Sequence, residues 1–347
     1  MAVKLPSRLE VLPCLALLVR SRLVVLPCLA LLAVMLGGCA PGGVQAQRQQ
    51  ELSVLLEAPT SAVHAGIYVA AQRGFDKGEG LTLKIQRPRA TTRPLASLRT
   101  ERADAAIIPL EDFARARVAG ADIVAVMALI QTPRLAVLAS PPFKRPRQLT
   151  GAKVGVPPGR APRALLETMI SSDGGDFDGT KIISLPEAAT EALEKERADA
   201  VVTRRDSASS MREGAGKHVS VMLPERYGVP DHPGLLVVVN QTTLADNPDG
   251  VRSLARTLQR GYHAAQVDPE STVEAMLERE PRLDRATLLA GIDDVGSSWT
   301  AGAATFGELR SPQLQRWQKW AIRTRIIPRP MPREAFSTEL VRPLRNP

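Results

Sequence analysis

The sequence predicts an α/β chain folded in two lobes and closed by a helical tail. Three observations carry this expectation. Strand-like runs alternate with helix-spaced runs, the rhythm breaks at a Pro- and Arg-rich connection and restarts, and after Asn240 the spacing is almost wholly helical.

The chain opens on a near-repeat, "SRLEVLPCLALL" at Ser7 to Leu18 and "SRLVVLPCLALL" at Ser21 to Leu32. Each is an Arg followed by an apolar run, the pattern of a secretory signal. In the second copy Arg20 and Arg22 lead into an uncharged stretch from Leu23 to Gly38, shorter than the roughly 20 residues a spanning helix needs. It ends in Leu36-Gly37-Gly38-Cys39, which resembles a bacterial lipobox with Cys39 as the lipidated residue. Residues 1–38 then read as a duplicated lipoprotein signal and residues 39–50, "CAPGGVQAQRQQ", as a flexible tether. All three cysteines (Cys14, Cys28, Cys39) lie in this region. The body of the protein therefore has no disulfide, no Cys metal site and no Cys nucleophile.

The net charge is +9 over 347 residues, and the leader's Lys4, Arg8, Arg20 and Arg22 against Glu10 account for three of it. The remaining charge is spread among acids with only 3% aromatic residues, which excludes the concentrated basic face of a nucleic-acid binder. No His pair with metal spacing occurs among His64, His218, His232 and His263, and neither a nucleophile elbow nor a Walker A loop is present. No metal or other cofactor is expected.

From Glu51 the elements follow in order. Glu51 to Ala58 alternates as a strand, His64 to Gly74 has helical spacing, Leu81 to Gln86 alternates again, "DAAIIP" is a short buried strand, and Leu110 to Gly120 is a helix closed by Gly. "DIVAVMAL" and "RLAVLAS" are two further strands before the connection "PPFKRPRQLTG". The second series runs through a strand at Ala152 to Pro157, a helix from about Pro162 to Ser172, "KIISL", a helix around Glu187 to Glu196, and the strand Asp199 to Thr203. "RADAAIIP" at Arg102 and "RADAVVTR" at Arg197 echo each other across the two series. A last strand, Gly234 to Asn240, precedes four helical runs. The expected organisation is a first lobe over 51–145, a second over 146–233, and a return strand with C-terminal helices over 234–347. Crossings between lobes fall near Ala139 to Pro146 and Leu235 to Asn240.

Four ordered motifs then carry a resemblance. "HAGIYVAAQRGFDKGEGLTLKI" (His64 to Ile85), "AKVGVPPG" (Ala152 to Gly159), "YGVPDHPGLLVVVN" (Tyr227 to Asn240) and "NPDGVRSLARTLQRGYHAAQVDPE" (Asn247 to Glu270) are similar to the SsuA/THI5-like (NMT1-type) substrate-binding proteins of ABC transporters. The branch that binds pyrimidine precursors of thiamine matches best. The resemblance implies a periplasmic-binding-protein type II fold with a helical C-terminal extension, and a small-molecule ligand held between the lobes. It also implies an ABC permease with its ATPase subunit as partners, and a monomer tethered outside the cytoplasm through Cys39. That branch usually carries Trp six residues before the signature His, where this chain has Ala58; Arg204 to Ser210 and His232 replace aromatic and polar family residues. The cleft thereby loses stacking platforms and gains charge.

The candidate ligand-binding residues are Thr60, Ser61, His64, Gly159, Arg160, Arg204, Asp206, Tyr227, Asp231 and His232. Thr60 and Ser61 suit helix N-caps as well as ligand hydrogen bonds, and Gly159 and Arg160 open a helix whose N–H groups can receive a polar group. Arg204, Arg205 and Asp206 follow a strand end, where a charge run also suits a solvated face. Gly228, Pro230 and Pro233 set a rigid turn around Tyr227, Asp231 and His232. Fungal members of the fold are pyrimidine synthases with a Cys-rich motif, absent here, so no enzyme is expected. A receptor for an anionic solute such as a sulfonate, and a binding protein that senses without transport, remain open alternatives.

Overall fold

Ten strands form two five-stranded sheets in the computed structural model, which describes residues 50–89, 92–186, 190–208, 211 and 218–343. The signal, Cys39 and nearly all of the tether lie outside the described residues. In chain order the strands are β1 (Gln50–Leu55), β2 (Leu81–Gln86), β3 (Ala105–Pro109), β4 (Ile123–Ile130), β5 (Leu135–Ala139), β6 (Lys153–Val156), β7 (Lys181–Ser184), β8 (Ala200–Arg204), β9 (Ser220–Met222) and β10 (Leu235–Asn240). The helices are α1 (Ala65–Gln72), α2 (Phe75–Gly78), α3 (Pro94–Arg99), α4 (Leu110–Val118), α5 (Arg160–Ser172), α6 (Glu191–Glu194), α7 (Gln241–Asp246), α8 (Pro248–Val267), α9 (Pro269–Arg279), α10 (Arg285–Thr300) and α11 (Ser311–Arg323). The expected α/β class and the helical tail are both present.

The sheets run β2-β1-β3-β10-β4 and β7-β6-β8-β5-β9. In each, three strands are parallel and the fourth is antiparallel, so β1, β2 and β3 correspond to β6, β7 and β8. The repeated Arg-Ala-Asp has the same task in both. Asp104 accepts from the Ser53 N–H at 2.8 Å, and Asp199 accepts from the Lys153 N–H at 2.7 Å. Each aspartate thus ties the start of a central strand to its parallel neighbour. Strand β4 is buried along its whole length, as its unbroken apolar run requires of a strand covered on both faces.

The crossings differ from the sequence expectation. "RLAVLAS", read as the last strand of the first lobe, pairs antiparallel with β8 in the second sheet, in the register Leu135↔Arg204 to Ala139↔Ala200. The first crossing is therefore the segment 131–134, not Ala139 to Pro146. Leu235 to Asn240 is itself a strand of the first sheet, so the return crossing ends at Gly234. A fully apolar strand announces burial but not which sheet it joins. The two crossings lie side by side: Gly234 N–H donates to Ile130 O at 2.9 Å, and a Cβ on Gly234 would stand 2.5 Å from Thr132 O.

The signature helix α1 packs closely against α8. A Cβ on Gly261 would lie 2.0 Å from the Gly66 carbonyl oxygen, so only glycine lets the backbones meet. Beside it Tyr262 is fully buried, stacked on Phe306 at 4.3 Å and edge-on to Trp299 at 5.1 Å. Its hydroxyl donates to Val63 O at 2.7 Å. This packing fixes the turn that carries His64.

Candidate interlobe binding site

The chain leaves β1 at Leu55 and turns through Glu57 to Ser61 before a short 3-10 segment, Ala62–His64, starts α1. Within this turn His64 is fully buried. The Ser61 N–H donates to its Nδ1 at 3.2 Å, and its Nε2 lies 2.9 Å from Glu57 Oε2. With Nδ1 accepting, Nε2–H is the donor to the carboxylate, which sets the tautomer. Burial pushes the Glu57 carboxyl up, but its interaction with the His64 ring, with help from the charge of Arg204, outweighs it and holds Glu57 below its ordinary value.

Across the gap, Arg204 closes β8. Its Nε donates to Asp206 Oδ1 at 2.9 Å and its Nη2 pairs with Asp206 Oδ2. The same Nη2 reaches Ser61 Oγ at 3.3 Å, a direct bond between the two sheets' strand ends. Burial lowers the Arg204 pKa, yet the hydrogen bond and charge of Asp206 and the charge of Glu57 raise it overall. Arg205 pairs with Glu225, and Arg134 lies 3.8 Å from Glu111. Glu57, Val63, Ile130, Arg204, Asp206 and Leu235 line a cavity of about 30 Å³, the room of a water molecule or two.

Of the residues expected from sequence, Ser61, His64, Arg204 and Asp206 come together here. Thr60 stands beside them but turns to Tyr68, 2.8 Å from its hydroxyl. That hydroxyl donates to Glu280 Oε1 at 2.9 Å; burial, with the Glu280 bond and charge, pushes its pKa up to about 12. The other five lie elsewhere. Gly159 (φ 122°) precedes α5 at the same end of the second sheet, and Arg160 there donates from Nε to Thr324 O at 2.7 Å. Asp231 accepts from Gln313 Nε2 at 2.9 Å, and Tyr227 packs against the apolar cluster that includes residues of α5 and α11. His232 is buried, its Nδ1 2.8 Å from Pro230 O and its ring 5.9 Å from Trp317. Burial brings its pKa down to about 4, so it is neutral at pH 7. These side chains hold the return crossing and the C-terminal helix rather than face the cavity.

Sequence reasoning missed Glu57, Thr132 and Arg134. Glu57 reads as the end of an alternating strand, and its signal is a carboxylate placed directly after a fully buried run. Thr132 and Arg134 sit between two apolar strands, the position of a crossing once β5 is assigned to the second sheet.

Two α/β sheets joined by two adjacent crossings, with a small cavity between strand ends, define the two-lobed solute-binding fold. Solved structures agree. The periplasmic aliphatic sulphonate binding protein SsuA from Escherichia coli superposes with a TM-score of 0.65 at 15% identity, covering 81% of this chain and 89% of that one. The periplasmic nitrate-binding protein NrtA from Synechocystis PCC 6803 gives 0.62 at 12% identity, covering 80% and 82%. In sequence, the formylaminopyrimidine-binding protein of Halalkalibacterium halodurans is 25% identical over 234 residues, 67% of this chain and 71% of its own. A putative thiamine biosynthesis protein of Haemophilus influenzae is 24% identical over 236 residues, 67% of this chain and 74% of its own. Residues 61–272 match the family described as NMT1/THI5 like, and the chain belongs to that family. It is a solute-binding protein rather than an enzyme.

Proposed function

We propose that the protein is the extracytoplasmic receptor of an ABC importer, taking a thiamine-type pyrimidine precursor or a related amino-heterocycle between its lobes and passing it to a permease with a separate ATPase subunit. In this reading residues 1–38 are a signal, Cys39 carries the lipid, the tether holds a monomer at the membrane, and no described helix is long and apolar enough to cross one.

One observation carries the ligand class: the cleft groups already have partners, the Glu57 carboxylate accepting from His64 Nε2–H and Arg204 paired with Asp206. An anion entering this site meets two carboxylates and a guanidinium that Asp206 has neutralised. An amino-heterocycle instead offers N–H donors to Glu57 and Asp206 and ring acceptors to Ser61 and Arg204. The relative named for formylaminopyrimidine binding supports the same class. A ring does not fit a cavity of about 30 Å³, so uptake would require the sheets to part about the adjacent crossings.

Calorimetry of the purified protein against a formylaminopyrimidine, an alkanesulfonate and nitrate tests this. Saturable binding of the pyrimidine alone is expected, weakened roughly 10- to 100-fold by Glu57→Gln, since a hydrogen bond to a charged group contributes about 1.5–3 kcal/mol. Binding of the sulfonate alone, abolished by Arg204→Gln, overturns the reading in favour of an anion receptor.

A further inference from the structure

A far larger cavity than the interlobe one lies elsewhere among the described residues. It is an open groove of about 1070 Å³ on the first sheet's side, at the C-terminal ends of β1 and β2 and along α3. Arg87, Arg89, Arg93 and Arg102 line it against a single carboxylate, Glu280. All four arginines are exposed. Arg87 pairs with Glu280, whereas no ion pair of Arg89, Arg93 or Arg102 occurs among the described residues. Such crowding of like charge is unfavourable unless something neutralises it. Leu55, Ile85 and Leu283 give the groove apolar lining, and Thr92, Ser97 and Thr100 line it beside the arginines.

From this placement the geometry points to a second ligand site, for a small organic oxyanion of the phosphate-ester class, which adjoins the interlobe site at Pro59 and Thr60 but shares no lining residue with its cavity and is independent of the solute assigned there. Guanidinium groups bind phosphate oxygens in bidentate pairs, the Thr92 and Ser97 hydroxyls add donors, and Leu55, Ile85 and Leu283 meet the organic body. The volume is that of a ligand of nucleotide size rather than a bare ion. The concave shape favours a discrete molecule over a flat membrane surface. The interlobe cavity differs in the feature that matters: there the arginines are matched by acids, and here three are not.

The test compares uridine monophosphate with uridine by calorimetry at low salt, beside co-sedimentation with phosphatidylglycerol vesicles. The phosphate ester is expected to bind and the nucleoside not. The doubly substituted protein, Arg89→Gln with Arg93→Gln, should lose roughly tenfold or more in affinity with its thermal midpoint unchanged, because both side chains are exposed and outside the cores. Arg102→Gln should weaken binding in the same direction, and added salt should weaken it in the parent protein. Equal affinity for ester and nucleoside, or ester binding that survives the double substitution, overturns the proposal. Capture by anionic vesicles with no binding of the free ester overturns it too, and makes the groove a headgroup contact.

Discussion

Acidification should loosen the return crossing through one residue, His232. Its ring is buried against Trp317, and Nδ1–H donates to Pro230 O at 2.8 Å. Burial lowers its pKa from 6.5 to about 4, against the Pro230 carbonyl and the charges of Asp231 and Glu225, which raise it. Between those two values the unfolded chain binds a proton that the folded chain does not, so stability rises with pH there. It is complete above the unfolded value of 6.5 and is lost as pH falls towards about 4. At about 1.4 kcal/mol per unit the whole window corresponds to about 3 kcal/mol, and the part from 6.5 to pH 5 to about 2 kcal/mol.

Urea unfolding followed by tryptophan fluorescence at pH 7, 6 and 5 reads this directly. The comparison is with His232→Asn, whose amide nitrogen can stand where Nδ1 does and keep the bond to Pro230. The variant is less stable at pH 7 because it loses ring packing, but the gap should close by about 2 kcal/mol at pH 5. The low-pKa carboxylates Glu57, Asp173, Glu191 and Asp284 titrate in both proteins and cancel in the difference. Parallel curves from pH 7 to pH 5 would refute the assignment of the buried neutral imidazole.

Three further substitutions test the scaffold. Gly261→Ala forces a Cβ to within 2.0 Å of Gly66 O and should destabilise the protein by about 1–3 kcal/mol or more, read as a lower thermal midpoint. Tyr262→Phe keeps the ring stack but strands the buried Val63 carbonyl, with an expected loss of about 1–3 kcal/mol in urea unfolding. Asp104→Ala removes the acceptor of both the Ser53 N–H and Oγ–H and should lower stability by about 1–3 kcal/mol in urea unfolding.

The alternation of strand and helix, and the restart of the rhythm, were legible because the side-chain period is local and each parallel strand needs its crossover helix. The internal echo of Arg-Ala-Asp was legible as well, and the structure supplies its cause in the matching aspartate bonds of the two sheets. The position of the crossings was not. "RLAVLAS" is equally apolar in either sheet, and its placement is settled by pairing with β8, a contact between residues about 65 apart in the chain. The cleft was half legible. Ser61, His64, Arg204 and Asp206 follow strand ends and meet there, but His232 and Asp231 follow a strand end too and are claimed by Trp317 and Gln313 of the tail. Nothing local to "YGVPDHPG" announces a helix arriving from 80 residues further on.

That helix gives the tail its mechanical meaning. Gln313 of α11 donates through Nε2 to Gln131 O in the first crossing at 3.1 Å and to Asp231 Oδ2 in the second at 2.9 Å. One buried side chain therefore holds both crossings in register. The tail also grips each lobe separately: Trp320 Nε1 donates to Thr168 Oγ1 on α5, while the Ser337 N–H donates to Ala125 O on β4. A motion that parted the sheets at Gln131 would break buried hydrogen bonds on both crossings at once, at roughly 1–3 kcal/mol for each group left unsatisfied. Rotation about the crossings keeps those bonds and exchanges the Arg204–Ser61 bond and the contacts at the C-terminal end of α11, at Thr168 and at Arg160 with Thr324. The cheaper path is thus a hinge whose axis runs past Gln313, with the strand ends that carry Glu57 and Arg204 as the parts that swing farthest.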